Sequence, residues 1–155
     1  MKAIVPTDEP PELFRGLSAG DLARVLADAR QESIPAGTIL FREGEPANRF
    51  FIIQGGRISL EAHDPAGTTV LLEEIGVGQV FGWSWLFPPF TWHFRARAVE
   101  DCRLTVLNGA SLLAVAEENH SFGYPLMKRI TRLLIQRLDT ARQRLLEQSR
   151  TGPRI

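Results

Sequence analysis

Short β-rich runs separated by glycine fill the middle of this chain, and this pattern restricts the fold more than any other feature. Eight of the thirteen glycines lie between residues 33 and 107. Turn signals this closely spaced between short strands are typical of a sandwich or barrel. In the run 57–62, Ile58, Leu60 and Ala62 alternate with polar residues, as expected of a strand with one buried face. The sequence therefore predicts a mainly β domain with strands over 38–41, 49–54, 57–62, 68–73, 80–81, 94–99 and 103–107.

Helical patterns flank this β region on both sides. Residues 1–17 are predicted to be an irregular lead-in, after which Ser18 and Asp21 form a capping-box pattern for a helix running to about Arg30. A short helix is predicted over 111–118 and a long one over about 122–148. We therefore expect a sensor part over 1–122 and a long C-terminal helix with its tail over 123–155.

The long helix carries apolar residues at intervals of three and four, which is the spacing of a heptad seam. Two interpretations remain open at this point. The helix either packs lengthwise on its own barrel or pairs with the same helix of a second copy, and the sequence favours the homodimer. The seam residues are Met127, Ile130, Leu134, Leu138, Ala141 and Leu145.

Charge is balanced over the whole chain, with 18 basic and 18 acidic residues, but the basic residues concentrate after position 123. The simplest interpretation is a solvated helix face that complements an acidic body, and a nucleic-acid or membrane-surface role is the alternative. The lone Cys102 excludes an intramolecular disulfide and agrees with a reducing compartment. With no apolar run near the roughly 18 residues of a spanning helix, we expect a cytoplasmic protein without membrane contact.

An aromatic segment, residues 81–94, lies between the strands and the last helices. It contains seven of the thirteen aromatic residues, including all three tryptophans. A partly polar segment placed between a β domain and a long helix is a candidate for reading a ligand or a partner. Some residues of this segment are also expected to belong to the core, namely Phe81, Leu86 and Phe94.

Catalytic and metal-binding patterns are missing from the sequence. His63, His93 and His120 are too scattered for the usual metal-ligand spacings. A metalloenzyme on a double-sheet roll would place two clustered histidines on one strand, and no phosphate-binding loop or dinucleotide fingerprint is present. We therefore expect no catalytic residues, no metal and no enzyme activity, and we expect Cys102 to be a buried small residue.

Several stretches of the chain resemble the cyclic nucleotide-binding domain of the Crp/Fnr type. Residues 34–45, Ile-Pro-Ala-Gly-Thr-Ile-Leu-Phe-Arg-Glu-Gly-Glu, and residues 49–58, Arg-Phe-Phe-Ile-Ile-Gln-Gly-Gly-Arg-Ile, look like the opening strands of that family. Residues 76–82 resemble the run into its phosphate-binding cassette, and residues 97–101 resemble the strand after it. The resemblance implies an eight-stranded jelly roll, also called a double-stranded β-helix, with flanking helices and a regulatory, ligand-sensing role.

The resemblance also shows where this chain departs from the family. The family places Glu directly after Phe-Gly to bind the ribose, but this chain has Trp83, whose indole donates one hydrogen bond and accepts none. The family's phosphate-binding Arg-Ser pair falls on Trp92-His93 if the count runs back from the next strand. Local similarity instead places it on Arg95-Ala96. Binding of cAMP itself is therefore doubtful, although a related cyclic nucleotide is a possible effector.

Three interpretations of the segment stay open: an effector site with altered specificity, a pocket filled by its own aromatic residues in a protein-interaction scaffold, and a site for an unrelated apolar effector. Family transcription factors continue into a helix-turn-helix module, for which this chain leaves no room before Ile155, so we expect no sequence-specific DNA binding. We expect a stand-alone regulatory domain with an unidentified protein partner. The candidate ligand-binding residues are Phe81, Gly82, Trp83, Ser84, Trp85, Leu86, Trp92, His93 and Arg95.

Overall fold

Two four-stranded antiparallel sheets form a roll in this computed structural model, which describes residues 12–151. One sheet has the strand order β1-β8-β3-β6 and the other the order β2-β7-β4-β5. The strands are β1 (Arg30–Ile34), β2 (Ile39–Phe41), β3 (Arg49–Gly55), β4 (Ile58–His63), β5 (Thr69–Ile75), β6 (Val80–Phe81), β7 (Arg95–Ala98) and β8 (Cys102–Asn108). The predicted mainly β jelly roll with flanking helices is confirmed.

Three α-helices complete the fold: α1 (Ala19–Leu26), α2 (Gly109–Glu118) and α3 (His120–Thr151). The predicted start of α1 is confirmed, since the Ser18 side chain caps it by accepting from the backbone N–H of Asp21. Its predicted end is wrong, because the helix stops at Leu26 and Arg30 begins β1. Strand β1 was missed because it is polar and mostly exposed. It exists through pairing with β8, which no local pattern shows. The predicted lead-in over 1–17 lies mostly outside the described residues.

The sheet that contains β3 is buried on both faces and separates two apolar cores. Phe50 and Ile52 face the helices, whereas Phe51 and Ile53 face the interior of the roll. Residues buried on both faces of a strand give a continuous apolar run rather than an alternating one, as in Phe50–Ile53. Strand β6 is divided in the same way, with Val80 in the helix-side core and Phe81 in the roll interior.

Helix α3 changes its environment along its length. Its first half packs into the helix-side core through residues such as Phe122, Leu126 and Ile130. The structure thereby divides the predicted seam, since Ile130 is 2% exposed and Met127 packs beside it, whereas Leu138 is 68% exposed. Leu134, Ala141 and Leu145 are exposed as well. The homodimer and the division of the chain at residue 122 both stay predictions.

Among residues 12–151, no helix combines the length and the apolarity needed to cross a membrane. Helix α3 is long enough, but charged residues are spaced along it throughout.

Candidate functional site

The aromatic segment begins at a glycine whose backbone no other residue would adopt easily. Gly82 has a φ of +90°, and an added Cβ would lie 3.0 Å from the Arg49 carbonyl oxygen and 3.0 Å from a ring carbon of Phe51. After it, a single 3₁₀ turn over Ser84–Leu86 and an irregular stretch lead into β7.

Trp92 and Phe81 lie in the roll interior, which their rings help to fill. The Trp92 ring stacks on Phe41 with 3.8 Å between centroids, and Phe81 stacks on Phe51 at 4.6 Å. Trp92 is 2% exposed and Phe81 is completely buried. The prediction that Phe81 is core is confirmed. These two candidate residues therefore pack against the protein's own side chains in the space inside the roll.

Trp85 is also a packing residue, but on the opposite side of the sheet. Its indole N–H donates to the Gly82 carbonyl at 2.6 Å, which satisfies the one polar atom of a buried ring. The ring lies against Gly109 at the start of α2, where an added Cβ would approach it to 2.6 Å. Trp85 thus joins the aromatic segment to α2.

Trp83 has a different environment from the other two tryptophans. Its ring is partly exposed, and the guanidinium of Arg137 lies over it, 4.7 Å from the ring centroid. The Arg137 guanidinium also donates to the Val80 carbonyl, and its Nε lies 3.4 Å from a carboxylate oxygen of Glu73. One residue of α3 therefore contacts β5, β6 and the aromatic segment. We call the surface formed by Glu73, Gln79, Val80 and Trp83 with Gln136, Arg137 and Thr140 the α3 wall.

The α3 wall holds two charged side chains that are largely buried. The Glu73 side chain is only 19% exposed and faces Arg137. Arg137 points back onto the roll, where it contacts Val80 and Glu73. Burial lowers the pKa of the Arg137 guanidinium, and the charge of Glu73 opposes that shift. A cation held this way is a candidate for recognising a negative group.

The remaining candidates of the segment lie nearer to solvent. The Ser84 hydroxyl and His93 Nδ1 are 3.3 Å apart, and the His93 side chain is exposed. Leu86 and Phe94 are only half-buried. The prediction that both are core residues therefore overstates their burial. Each packs at the margin of one of the two apolar cores.

Arg95 lies on the outer face of the roll, away from the interior. Its neighbour Ala96 points inward, so Arg95 and Arg97 point outward and both bind the buried carboxylate of Glu61. The Arg95 Nη2 lies 2.6 Å from one Glu61 oxygen and the Arg97 Nη2 lies 2.9 Å from the other. The Ser59 hydroxyl donates to Glu61 as well, at 2.9 Å.

This outer-face cluster is satisfied by its own members. Burial by itself raises the pKa of Glu61, but the hydrogen bonds from Arg97, Arg95 and Ser59 outweigh it and hold the pKa at about 2. Arg95 is the first residue of β7 and pairs with Glu61 of β4. It therefore lies in the sheet and not in the aromatic segment that precedes the strand. The placement of the family's Arg-Ser pair at Trp92-His93 stays a prediction.

Sequence reasoning missed Arg137, Glu73 and Glu61. A signal for Arg137 did exist, because it follows the buried Ile130 by seven residues and therefore lies on the same helix face. No such signal existed for Glu61 or Glu73, since each depends on which strand or helix lies beside it. Within residues 13–149, no group of three His, Cys, Asp or Glu side chains is placed to hold a metal ion.

Comparison with known proteins gives the chain its relatives. Residues 31–119 match the family model described as the cyclic nucleotide-binding domain. A protein of Rhodopseudomonas palustris named for a potassium channel is 33% identical over 104 residues, which are 66% of this chain and 24% of that protein. A CRP-like cAMP-activated global transcriptional regulator of Mycobacterium tuberculosis is 24% identical over 122 residues, 79% of this chain and 54% of that one. The chain thus spans about a quarter to a half of the length of these curated relatives.

Among solved structures, a protein of Geobacter metallireducens described as cyclic nucleotide-binding superposes with a TM-score of 0.72 at 27% identity. The match covers 82% of this chain and 92% of that one. These relatives are named as a potassium channel, a cAMP-activated transcriptional regulator and a cyclic nucleotide-binding protein.

Proposed function

This chain belongs to the cyclic nucleotide-binding domain family, and from that premise we propose that it is a regulatory domain that binds a small effector at the α3 wall and signals through α3. The observation that carries the proposal is the position of Arg137. Its side chain joins α3 to β5, to β6 and to Trp83, the position at which the family resemblance implies a ligand contact.

An effector at this wall would act by changing how α3 is held. A ligand shifts a conformational equilibrium only to the extent that it binds one state better than the other. Any group that competes for Arg137 meets that condition, because the present state uses Arg137 to hold α3 on the roll. The contact of Arg144 with the Leu72 carbonyl two helical turns further along supports this role, since it extends the same attachment.

The effector is not expected to be cAMP bound in the family's manner. The ribose carboxylate is replaced by Trp83, and the place of the phosphate-binding pair is taken by Trp92 and His93. Trp92 is buried against Phe41 and presents no charge. The specificity therefore differs from that of the cAMP-binding pattern.

A second candidate is a protein-interaction scaffold without a small-molecule ligand. The observation that favours it is the stacking of Trp92 on Phe41 and of Phe81 on Phe51, which places the protein's own rings inside the roll. In that case Arg137 would only hold α3 against the roll, and α3 would present a fixed surface to a protein partner.

A thermal-shift series separates the two candidates. Wild-type protein and the Arg137→Gln variant are heated with cAMP, cGMP, cyclic dinucleotides and linear nucleotides. A ligand at a hundred times its Kd stabilises the folded state by about 2.7 kcal/mol, which raises Tm by several degrees. We expect one nucleotide-like compound to stabilise the wild type. A flat response across the whole series would favour the scaffold.

We propose further that α3 forms a homodimer through its exposed half, by Leu134, Leu138, Ala141 and Leu145. Exposed leucines on one face of a helix bury apolar area when two such helices pair. Leu138→Glu should convert the dimer to a monomer in analytical ultracentrifugation. The matched control is Arg142→Glu on the same helix, which should leave the dimer intact, and a wild-type monomer at high concentration would refute the pairing.

A further inference from the structure

A cavity of about 370 Å³ lies at the α3 wall, on the side of β6 opposite to the roll interior. Glu73, Gln79 and Val80 line it from the roll, and Gln136, Arg137 and Thr140 line it from α3. Val80 belongs to the helix-side core, whereas its neighbour Phe81 points into the roll, so the cavity is separate from the interior. Its volume falls in the range of about 300–1,000 Å³ typical of small-molecule sites.

Arg137 enters this cavity with hydrogen-bonding capacity to spare. A guanidinium has five N–H donors in a fixed planar arrangement. One donates to the Val80 carbonyl, and the Nε group faces Glu73 at 3.4 Å, longer than the roughly 2.7–2.9 Å of a charge-assisted hydrogen bond. In the part of the chain that the structure describes, Arg137 has no other polar partner.

The unpaired part of the Arg137 guanidinium is not sealed from solvent. Among residues 13–149, no fully buried side-chain nitrogen or oxygen lacks a partner, so Nη1, for which no partner is seen, retains some exposure. One face of the guanidinium lies against Trp83, and the side chain lines the cavity. The Arg137 side chain as a whole is only 17% exposed, so a group bound there would be partly shielded from water.

Electrostatics favours a negative occupant. Among the residues that the structure describes, Glu73 is the one carboxylate paired with this mostly buried cation, at a distance too long for a good hydrogen bond. A carboxylate or phosphate offers two or more oxygens in the spacing that a guanidinium matches. Gln79 and Gln136 also bring side-chain amides to the lining, although Gln79 Oε1 already accepts from the Gly76 N–H and the Thr140 hydroxyl donates to the Gln136 carbonyl.

We infer that the cavity at the α3 wall binds the carboxylate or phosphate group of a small anionic effector. The bound group replaces Glu73 as the ion-pair partner of Arg137. The inference rests on the proposed function, because it names the chemical class of the effector. Glu73 then acts as a built-in competitor that occupies Arg137 while the effector is absent. This site differs from a nucleotide site inside the roll, since its cation comes from α3 and its competitor from β5.

Inorganic phosphate is the probe that tests this site directly. Binding is measured by titration calorimetry and by thermal shift, with chloride added to keep the ionic strength equal. The Arg137→Gln variant should lose the phosphate effect. Glu73→Gln should bind phosphate about tenfold more tightly, which corresponds to about 1.4 kcal/mol for the loss of its internal competitor.

Two matched variants control for charge alone. Glu74→Gln removes a carboxylate from the next position of β5, where it pairs with Arg57. Arg142→Gln removes an exposed cation from α3. Both should bind phosphate as the wild type does.

The Glu73→Gln variant makes the inference falsifiable even if Arg137→Gln unfolds. Unchanged or weaker phosphate binding in Glu73→Gln would overturn the anion site and leave the ion pair a structural contact. So would an equal phosphate effect in Arg137→Gln and in the wild type.

These measurements distinguish a failure of the anion site from a failure of the proposed function. An Arg137-dependent phosphate effect with no change in hydrogen exchange along α3 would uphold the anion site and refute signalling through the helix. A nucleotide that stabilises the wild type and Arg137→Gln equally would uphold an effector and overturn this site.

Discussion

The roll and the α3 wall both bury aromatic rings and charged groups, but the buried charge of the roll has more and shorter hydrogen bonds than that of the wall. Inside the roll, Trp92 stacks on Phe41, and on its outer face Glu61 accepts hydrogen bonds from three partners. At the α3 wall, Arg137 has one distant carboxylate, one carbonyl and a cavity beside it.

From this difference we propose that the roll is structural and that the α3 wall binds a ligand. A buried polar group with all its partners stabilises the fold and has little to gain from a ligand. A mostly buried cation with unused donors gains from any anion that reaches it. Two tryptophans of one short segment therefore have separate roles, with Trp92 in packing and Trp83 at the wall.

The largest expected effect is on the roll. Trp92→Ala removes a completely packed ring and should lower the free energy of unfolding by about 3–5 kcal/mol. For a chain of this size that is a fall in Tm of about 10 °C or more, measured by urea and thermal unfolding. Trp92→Phe is the control and should lose much less. A loss below about 1 kcal/mol in Trp92→Ala would mean that the roll interior is open to a ligand.

A somewhat smaller effect is expected at Glu61, and it depends on pH. Its pKa is held at about 2 against an ordinary value of 4.5, so its interactions stabilise the fold above pH 4.5 and are lost as the pH falls through 2. At neutral pH, Glu61→Gln should lower the free energy of unfolding by about 3 kcal/mol.

The pH course of that difference is the sharper observation. The stabilities of wild type and Glu61→Gln should converge between pH 4.5 and pH 2, as measured by urea unfolding at each pH. Glu74→Gln, which breaks a more exposed pair with Arg57, should show only a small difference. A difference for Glu61→Gln that does not change with pH would show that the carboxylate charge is not what matters.

The smallest change in stability is expected at the wall. Trp83→Ala should cost about 1 kcal/mol, because the ring is partly exposed and its contact with Arg137 is a cation–π interaction of modest strength. Backbone hydrogen exchange should nevertheless increase in α3 beyond residue 137. Trp83→Phe keeps a ring for Arg137 and should restore most of the protection.

A different result would remove the distinction between the two regions. If Trp83→Ala destabilises the protein as much as Trp92→Ala, the aromatic segment is one continuous core and the wall is part of it. Unchanged hydrogen exchange in α3 would mean that Trp83 does not help to hold the helix.

Local sequence patterns predicted much of the architecture. The alternation of Ile58, Leu60 and Ala62 and the glycine-separated runs predicted short strands, and the intervals of three and four predicted the long helix. The family resemblance assigned the jelly roll and located the aromatic segment. Strand β1 escaped because its residues are polar and it forms only by pairing with β8.

Only some of the site residues could be predicted from the sequence. Trp83 was predicted to be a departure from the family pattern, and that stays a prediction. Arg95 was placed among ligand groups and lies on the outer face with Glu61. The partner of Trp83 came from α3, far along the chain. Its identity followed from how α3 crosses β5 and β6, which no spacing in the segment encodes.

Backbone periodicity is a local property, since side chains repeat every two residues in a strand and every 3.6 in a helix. It was therefore enough to predict short strands, a long amphipathic helix and which residues share a face, whereas the roll came from the family resemblance. Which faces meet depends on long-range pairing and packing. That packing buried Trp92 in the roll, gave Glu61 its three donors, and left Arg137 over Trp83 beside an open cavity.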